Sequence, residues 1–329
     1  MNHTKHFYLR SNQTLLANSN LTDKAKASII SAKSENTIDA YEADWKDFMD
    51  WCDYKHITDF PPTSETIVNY INDLADHAKA NTISRRISAI SENLNAAGLD
   101  NNPTSSALVR SALRGIRRMK GTYQQGKTPV LLMDLEEIFE AMPKMGLQGL
   151  VEARDKAILL TGFMGAFRRS ELCAIEVEDI RFLPQGMEIF IASSKADQEG
   201  QGSSVAIPYI DRPELCAVRA VKHWLSLSHI VSGPIFRPFK KNGELRASGI
   251  SDKSISDIVK KYMEAIGEDP AFYGAHSLRH GFATTAASYG VEERNIMRQT
   301  RHHSVNMVRR YINEASKFDD NAINTIFKK

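Results

Sequence analysis

The sequence predicts a mainly α-helical protein of two domains, with a small β-sheet confined to the second. Apolar residues recur at three- and four-residue steps almost without a break from Ile38 to Ile116, the period of helices that bury one face. The stretch "MKGTYQQGKTP", residues 119–129, then interrupts that pattern with two glycines, a proline and no apolar stripe, as a linker does. Beyond it, "GMEIFIASS" (186–194) and "SSVAIP" (203–208) are rich in β-forming residues and flank the polar turn "KADQEGQG". A chain of 329 residues is long enough for two cores.

Residues 1–33 show no sustained period and read as a flexible leader with a short helix near Lys24 to Ser31. A helical domain is expected over 34–120. Its first helix, capped by Ser34 or Asn36, lines up Ile38, Tyr41, Trp45, Phe48, Met49 and Cys52. Pro61-Pro62 with Thr63 and Ser64 opens a second helix carrying Ile67, Ile71 and Leu74. Ile83, Ile87, Ile90 and Leu94 mark a third, stopped by Gly98, and Val109, Leu113 and Ile116 a fourth. After a linker at 121–129, the second domain (130–329) starts on a helix whose capping box is Asp134 with Glu137. Past the strand pair, helices are expected at 213–228, 251–266, 276–289 and 291–299, with a further stretch around Tyr311 and a terminal tail helix.

Composition excludes several classes. With 42% apolar and 25% charged residues this is an ordinary globular chain. No apolar run approaches the roughly 18 residues of a membrane span, and the polar start has no secretory core, so a cytoplasmic protein with no membrane partner is expected. Cys52, Cys173 and Cys216 are scattered, which fits neither a disulfide framework nor a zinc knuckle.

Charge is uneven along the chain. Residues 34–77 hold eleven Asp or Glu against Lys46 and Lys55, whereas residues 110–127 hold Arg110, Arg114, Arg117, Arg118, Lys120 and Lys127 with no acid. Such asymmetry suggests one surface for a polyanion and another turned away from it.

The chemistry concentrates in four places. "HSLRHGFATT" (276–285) puts His276 and Arg279 three apart, on one helical face, where an imidazole and a planar guanidinium can share a phosphate or carboxylate. "GAFRRSEL" (165–172) holds Arg168 and Arg169 ahead of Glu171, Lys195 stands at the end of a strand, and "RHHSVNMVRRYI" (301–312) places His302 nine residues before Tyr311.

In that order, Arg, Lys, His-x-x-Arg, His, Tyr, these elements resemble the tyrosine recombinase (phage integrase) family across essentially the whole chain. "AFRRSEL" stands where the family usually has Gly-Leu-Arg-x-Ser-Glu-Leu, and "TRHHSVNMVRRYI" resembles its Thr-Gly-His-x-Ser run. Ala166-Phe167 replaces Gly-Leu, and Arg301 replaces the glycine before the histidine. The aligned box favours Arg168 over Arg169, leaving Arg169 as a surface or DNA-backbone contact, and the nine-residue interval favours His302 over His303.

The resemblance implies a C-shaped DNA clamp of a SAM-like core-binding domain and a catalytic domain, acting without metal or other cofactor. It implies a site-specific recombinase that cuts and rejoins DNA strands through a 3′-phosphotyrosyl intermediate and a Holliday junction. Tyr311 would be the nucleophile, Arg168 and Arg279 the phosphate braces, and His276 the aid to proton removal. Lys195 would be the acid for the leaving 5′ oxygen, His302 a donor to the phosphate, and Glu171 an anchor for the cluster. Lys79, Arg85 and Arg86 of the third helix, with Arg110 to Lys127, would face DNA phosphates while the acidic first helix points away. The expected partners are double-stranded DNA with an inverted-repeat target and further copies of the chain, a dimer per site and a tetramer in the full complex, associated with the nucleoid. A phage or mobile-element integrase needing accessory proteins, and a catalytically silent DNA-binding relative, remain alternatives.

Overall fold

The computed structural model describes residues 22–25, 35–98, 101–121, 126–146, 149–192, 202–302, 304–315, 317 and 322–327. The chain divides into two compact units, Met1–Gln125 and Gly126–Lys329. Most of the leader, including most of its expected short helix, lies outside the described residues.

In the first unit four helices enclose one core: α1 (Glu35–Tyr54), α2 (Ser64–Ala75), α3 (Ala80–Ala96) and α4 (Ala107–Lys120). Thr63 caps α2 by accepting the Thr66 N–H at 3.1 Å, and Ser106 caps α4 by accepting that of Val109 at 3.2 Å, each satisfying a donor that the helix cannot. Trp45, Phe48, Ile67, Tyr70, Ile83, Ile90, Val109 and Ile116 fill the centre. The expected orientation of α1 needs correction. Its acidic face is not turned away from α3: Asp44 pairs with Arg85 at 2.5 Å, and Arg86 bonds Asp47 and, at 3.1 Å, the Tyr70 hydroxyl. Asp44 is almost wholly buried, and an unpaired carboxylate there would be costly, so attraction decides the packing.

In the second unit α5 (Leu132–Ala141) begins at Leu132, so Asp134 is its third residue rather than its cap. The Asp134 carboxylate accepts the Leu131 N–H at 2.7 Å, the backward half of a capping box. Through the middle runs α6 (Gly149–Met164), buried throughout from Ala157 to Phe163. There follow α7 (Arg169–Ala174), the strands β1 (Ile180–Leu183), β2 (Gly186–Ile191) and β3 (Ser203–Pro208), then α8 (Ala217–Ser228) and α9 (Asp252–Ala265). The sheet is antiparallel in the order β1-β2-β3, with Ile189 opposite both Ile180 and Val205. Met187, Ile189, Ile191, Val205 and Ile207 point into the core, the alternation expected of a half-buried sheet. The sequence shows a pair of strands; β1 adds a third, four residues being too short to display a period.

The terminal elements are α10 (His276–Ser288), α11 (Glu293–Thr300), α12 (Val305–Ala315) and α13 (Ala322–Phe327). The segment after Gly126 lies along α10, where the Val130 N–H donates to the Ser277 carbonyl at 3.0 Å. Only glycine allows that approach at position 281, because a Cβ there would sit 1.7 Å from the Val130 carbonyl oxygen.

Candidate active site

The chain enters α7 through Gly165 and Ala166, the latter in the left-handed region at φ 45°. Arg279, in the first turn of α10, donates from Nη1 to the Ala166 carbonyl at 2.7 Å. Arg168 precedes α7 in extended conformation, and the Glu171 carboxylate accepts both its backbone N–H at 2.8 Å and its guanidinium at 2.6 Å. One carboxylate thus fixes the main chain and the side chain of the same arginine.

A second guanidinium shares that carboxylate. Arg301 ends α11 in the left-handed conformation at φ 54°, donates to Glu171 Oε2 at 2.6 Å and lies over the Phe167 ring. Burial alone would raise the Glu171 carboxyl, but Arg301 and then Arg168 outweigh it and hold the group below its ordinary value, ionised. Two guanidiniums therefore grip one carboxylate, a third, that of Arg279, lies within its electrostatic reach, and the surplus is positive. Arg279 shows the strain of that surplus: it is 2% exposed, and burial, then Arg168 and Arg301, push it down to about 9. Its Nη2 is buried and meets no hydrogen-bond partner among the described residues. A buried donor of this kind is expensive unless an anion completes it.

The two histidines beside these arginines are both held below the ordinary imidazole value. His276 opens α10 with one side in solvent; partial desolvation first, then Arg279, His280 and Arg168, hold its imidazole below the usual value. His302 is held down to about 4 by burial, then by Arg279 and Arg168. Its Nδ1 lies 2.7 Å from the Thr300 hydroxyl.

Tyr311, on α12, is 8% exposed and packs among Ala283, Ala286, Ile296 and Val308. Its ring centroid is 4.9 Å from that of His280 and 5.7 Å from that of His302. His280 Nδ1 in turn lies 2.9 Å from the Lys127 carbonyl.

Of the residues expected at the site, Arg168, Glu171, His276, Arg279, His302 and Tyr311 converge on one cluster. Lys195 and His303 lie outside the described residues. Arg169 points elsewhere, to Asp252 at 2.8 Å. Arg301, Thr300 and His280 also join the cluster; no motif box marks them, and the one local sign is that Arg301 stands where the family has a glycine. No group of three or more His, Cys, Asp or Glu side chains among the described residues is placed to hold a metal ion.

On α4, Arg110, Arg114, Arg117, Arg118 and Lys120 are all exposed, as are Lys79 and Lys127. Among the described residues none of these seven has an ion pair, whereas Arg86 keeps only 18% of its side chain exposed and is occupied by Asp44, Asp47 and Tyr70. No helix among the described residues is long and apolar enough to cross a membrane.

Comparison with known proteins agrees with this geometry. Residues 132–317 match the model of the phage integrase family, and residues 27–97 that of the phage integrase N-terminal SAM-like domain. A curated relative, the integrase/recombinase xerD homolog of Selenomonas ruminantium, is 50% identical over 98% of this chain and 94% of its own. Among solved structures, XerH recombinase in a post-cleavage complex with palindromic difH substrate aligns with a TM-score of 0.64 at 15% identity, over 96% of this chain and 88% of that one. A lambda integrase dimer bound to a COC′ core site gives 0.58 at 17%, over 95% and 96%. The chain belongs to the phage integrase family, the tyrosine recombinases, and is a DNA strand-transferring site-specific recombinase.

Proposed function

We propose that the cluster around Glu171 is the strand-transfer site and that Tyr311 is its nucleophile. The observation that carries this is the surplus of guanidinium charge beside a buried tyrosine. Attack on a phosphodiester gathers negative charge on the non-bridging oxygens, and Arg168 and Arg279 present fixed donors to them. Glu171 holds Arg168 in place rather than acting as an acid. Tyr311 forms a bond to phosphorus while the 5′ oxygen leaves, and the 3′-phosphotyrosine stores the bond for rejoining without a nucleotide. His276, held below its ordinary value and partly open, takes the tyrosine proton, His302 contacts the phosphate, and Lys195 delivers the proton to the leaving oxygen.

Exposed basic residues of the first unit, Lys79, Arg110, Arg114, Arg117, Arg118 and Lys120, with Lys127 after it, neutralise backbone phosphates. Arg169, tied to Asp252, is a weaker candidate, and Arg85 and Arg86 serve first to bind α1 to α3. The palindromic difH substrate of the XerH complex supports an inverted-repeat target, and the lambda integrase dimer on its core site supports two copies at each site; a tetramer when two sites meet belongs to the same reading. Ile326 and Phe327 on α13 are 73% and 77% exposed, which suits docking on a neighbouring copy. The protein would work on DNA in the cytoplasm.

A nicked duplex that traps the covalent intermediate tests the reading. Wild-type protein should form an adduct in EDTA and without nucleotide, whereas Tyr311→Phe should bind the duplex normally and form none. An adduct of undiminished yield with Tyr311→Phe, or a strict divalent-metal requirement for cleavage, would overturn it.

A further inference from the structure

We propose that Thr300 is a positioning residue that fixes the tautomer of His302 with its hydrogen on Nδ1, so that engaging a phosphate through Nε2 requires a proton taken up together with the DNA. This rests on reading the cluster as a phosphate site.

Thr300 is fully buried, and its Oγ1 lies 2.6 Å from the Ile296 carbonyl, 3.4 Å from that of Met297 and 2.7 Å from His302 Nδ1. Carbonyl oxygens only accept, and a hydroxyl has one hydrogen. That hydrogen is claimed by Ile296, so towards His302 the Thr300 oxygen can only accept. Were Nδ1 bare, two lone pairs would face each other at 2.7 Å. Nδ1 therefore carries the hydrogen, and in a neutral imidazole Nε2 is left with a lone pair.

A second proton is opposed from every side. Arg168 faces the ring from the start of α7, His276 and Arg279 from α10, and Arg301 from the preceding position. The Tyr311 ring approaches from α12. The nearby carboxylate, Glu171, is already committed to Arg168 and Arg301. Free protein thus holds His302 neutral. A non-bridging phosphate oxygen only accepts, so a lone pair at Nε2 repels it. An arriving phosphodiester both cancels the surplus positive field and demands a donor, and His302 gains its proton on Nε2 from solvent as DNA docks. By linkage, the group binds more protons in the complex than in the free protein. Affinity should therefore fall as pH rises through the titration of His302 in the complex, by up to about tenfold per pH unit.

Ring-15N histidine labelling tests the tautomer without DNA. At pH 7, with the His302 signals identified by their loss in His302→Gln, wild type should show a pyrrole-type Nδ1 and a pyridine-type Nε2. Thr300→Ser should preserve that pattern, and Thr300→Val should move towards the Nε2–H form. A pyridine-type Nδ1 or an imidazolium in free wild-type protein would overturn the proposal while leaving the strand-transfer site intact. Calorimetric titration with half-site duplex, in two buffers of different ionisation heat, tests the coupling. Wild type and Thr300→Ser should take up more protons on binding than His302→Gln. Thr300→Val, able to present Nε2–H directly, should resemble His302→Gln. Equal uptake by all four would sink the coupling, and because adduct formation depends on Tyr311, the nicked-duplex assay reports separately on the site itself.

Discussion

Arg301 and Glu171 form a 2.6 Å ion pair that joins the end of α11 to the start of α7, with the carboxylate 2% and the guanidinium 12% exposed. The same carboxylate holds Arg168, so the loop carrying His302 and the helix start carrying Arg168 share one anchor. A left-handed backbone at 301 suits the glycine that the family keeps there. Here the arginine accepts that conformation, at a local backbone cost of about 1–2 kcal/mol, and gains a buried partner.

Two substitutions at Arg301 separate these terms. Arg301→Ala keeps the left-handed cost and leaves Glu171 with Arg168 alone. The loss should approach, without reaching, the about 3–5 kcal/mol of a buried charge stripped of its partner. Arg301→Gly removes the backbone cost as well and should be less destabilised than the alanine variant by about 1 kcal/mol. Urea unfolding curves provide both numbers, and equal stability of the two variants would show that the backbone at 301 carries no strain. Glu171 titrates below its ordinary value of 4.5 in the folded state, so its contribution is present above that pH and is lost as pH falls further. Glu171→Gln should accordingly flatten the acid limb of a melting-temperature profile.

Among the arginines of the cluster, the expected ranking follows from what each touches. Arg168→Ala or Arg279→Ala should slow single-turnover cleavage by about 10²–10³-fold, the usual effect of losing one transition-state donor, with a smaller change in binding. Arg169→Ala breaks only a half-exposed pair with Asp252 and should be mild. Greater damage from the Arg169 change would exchange the roles of these neighbours.

Periodic features of the fold were legible in the sequence because they are local. Ile83, Ile87, Ile90 and Leu94 repeat often enough to declare a helix and its buried face, and all four are buried in α3. β1 was not legible, its four residues being recognisable as a strand only through their bonds to β2. The motif boxes locate Arg168, Arg279 and Tyr311 by spacing. Nothing local, by contrast, tells that Arg301 crosses 130 positions of sequence to reach Glu171, or that Thr300 faces His302 rather than the core. Charge counts misled in one respect: the acidic α1 and the basic α3 read as surfaces that avoid each other, whereas opposite charges at short range bind them together.

That pairing sorts the basic residues of the first unit. Arg86→Ala should lower the unit's stability, because it strips Asp44 and Asp47 of a partner, and should leave the salt dependence of DNA binding nearly unchanged. Arg114→Ala and Arg118→Ala, on the open face of α4, should weaken binding across sequences and reduce the slope of log affinity against log salt by about one each, with no effect on unfolding. Fluorescence titrations over a salt series, beside thermal melts, read both quantities. A reduced slope for Arg86→Ala with unchanged stability would restore it as a phosphate contact.

The tail offers a choice between packing at home and packing on a neighbour. Phe318 lies outside the described residues, but α13 leaves Ile323, Ile326 and Phe327 exposed, an apolar strip that a folded monomer gains by covering. If a second protomer covers it, deleting residues 317–329 removes a protein contact and no phosphate contact. Binding to one half-site should then survive, while cooperative filling of two half-sites and assembly of the four-protomer complex should fall. If the strip packs on its own unit, the same deletion exposes core, so the melting temperature of the free protein should drop and half-site binding should weaken with it. Gel-shift titrations on half and full sites, read beside thermal melts, distinguish the two. Undiminished cooperativity on the full site would eliminate docking between copies.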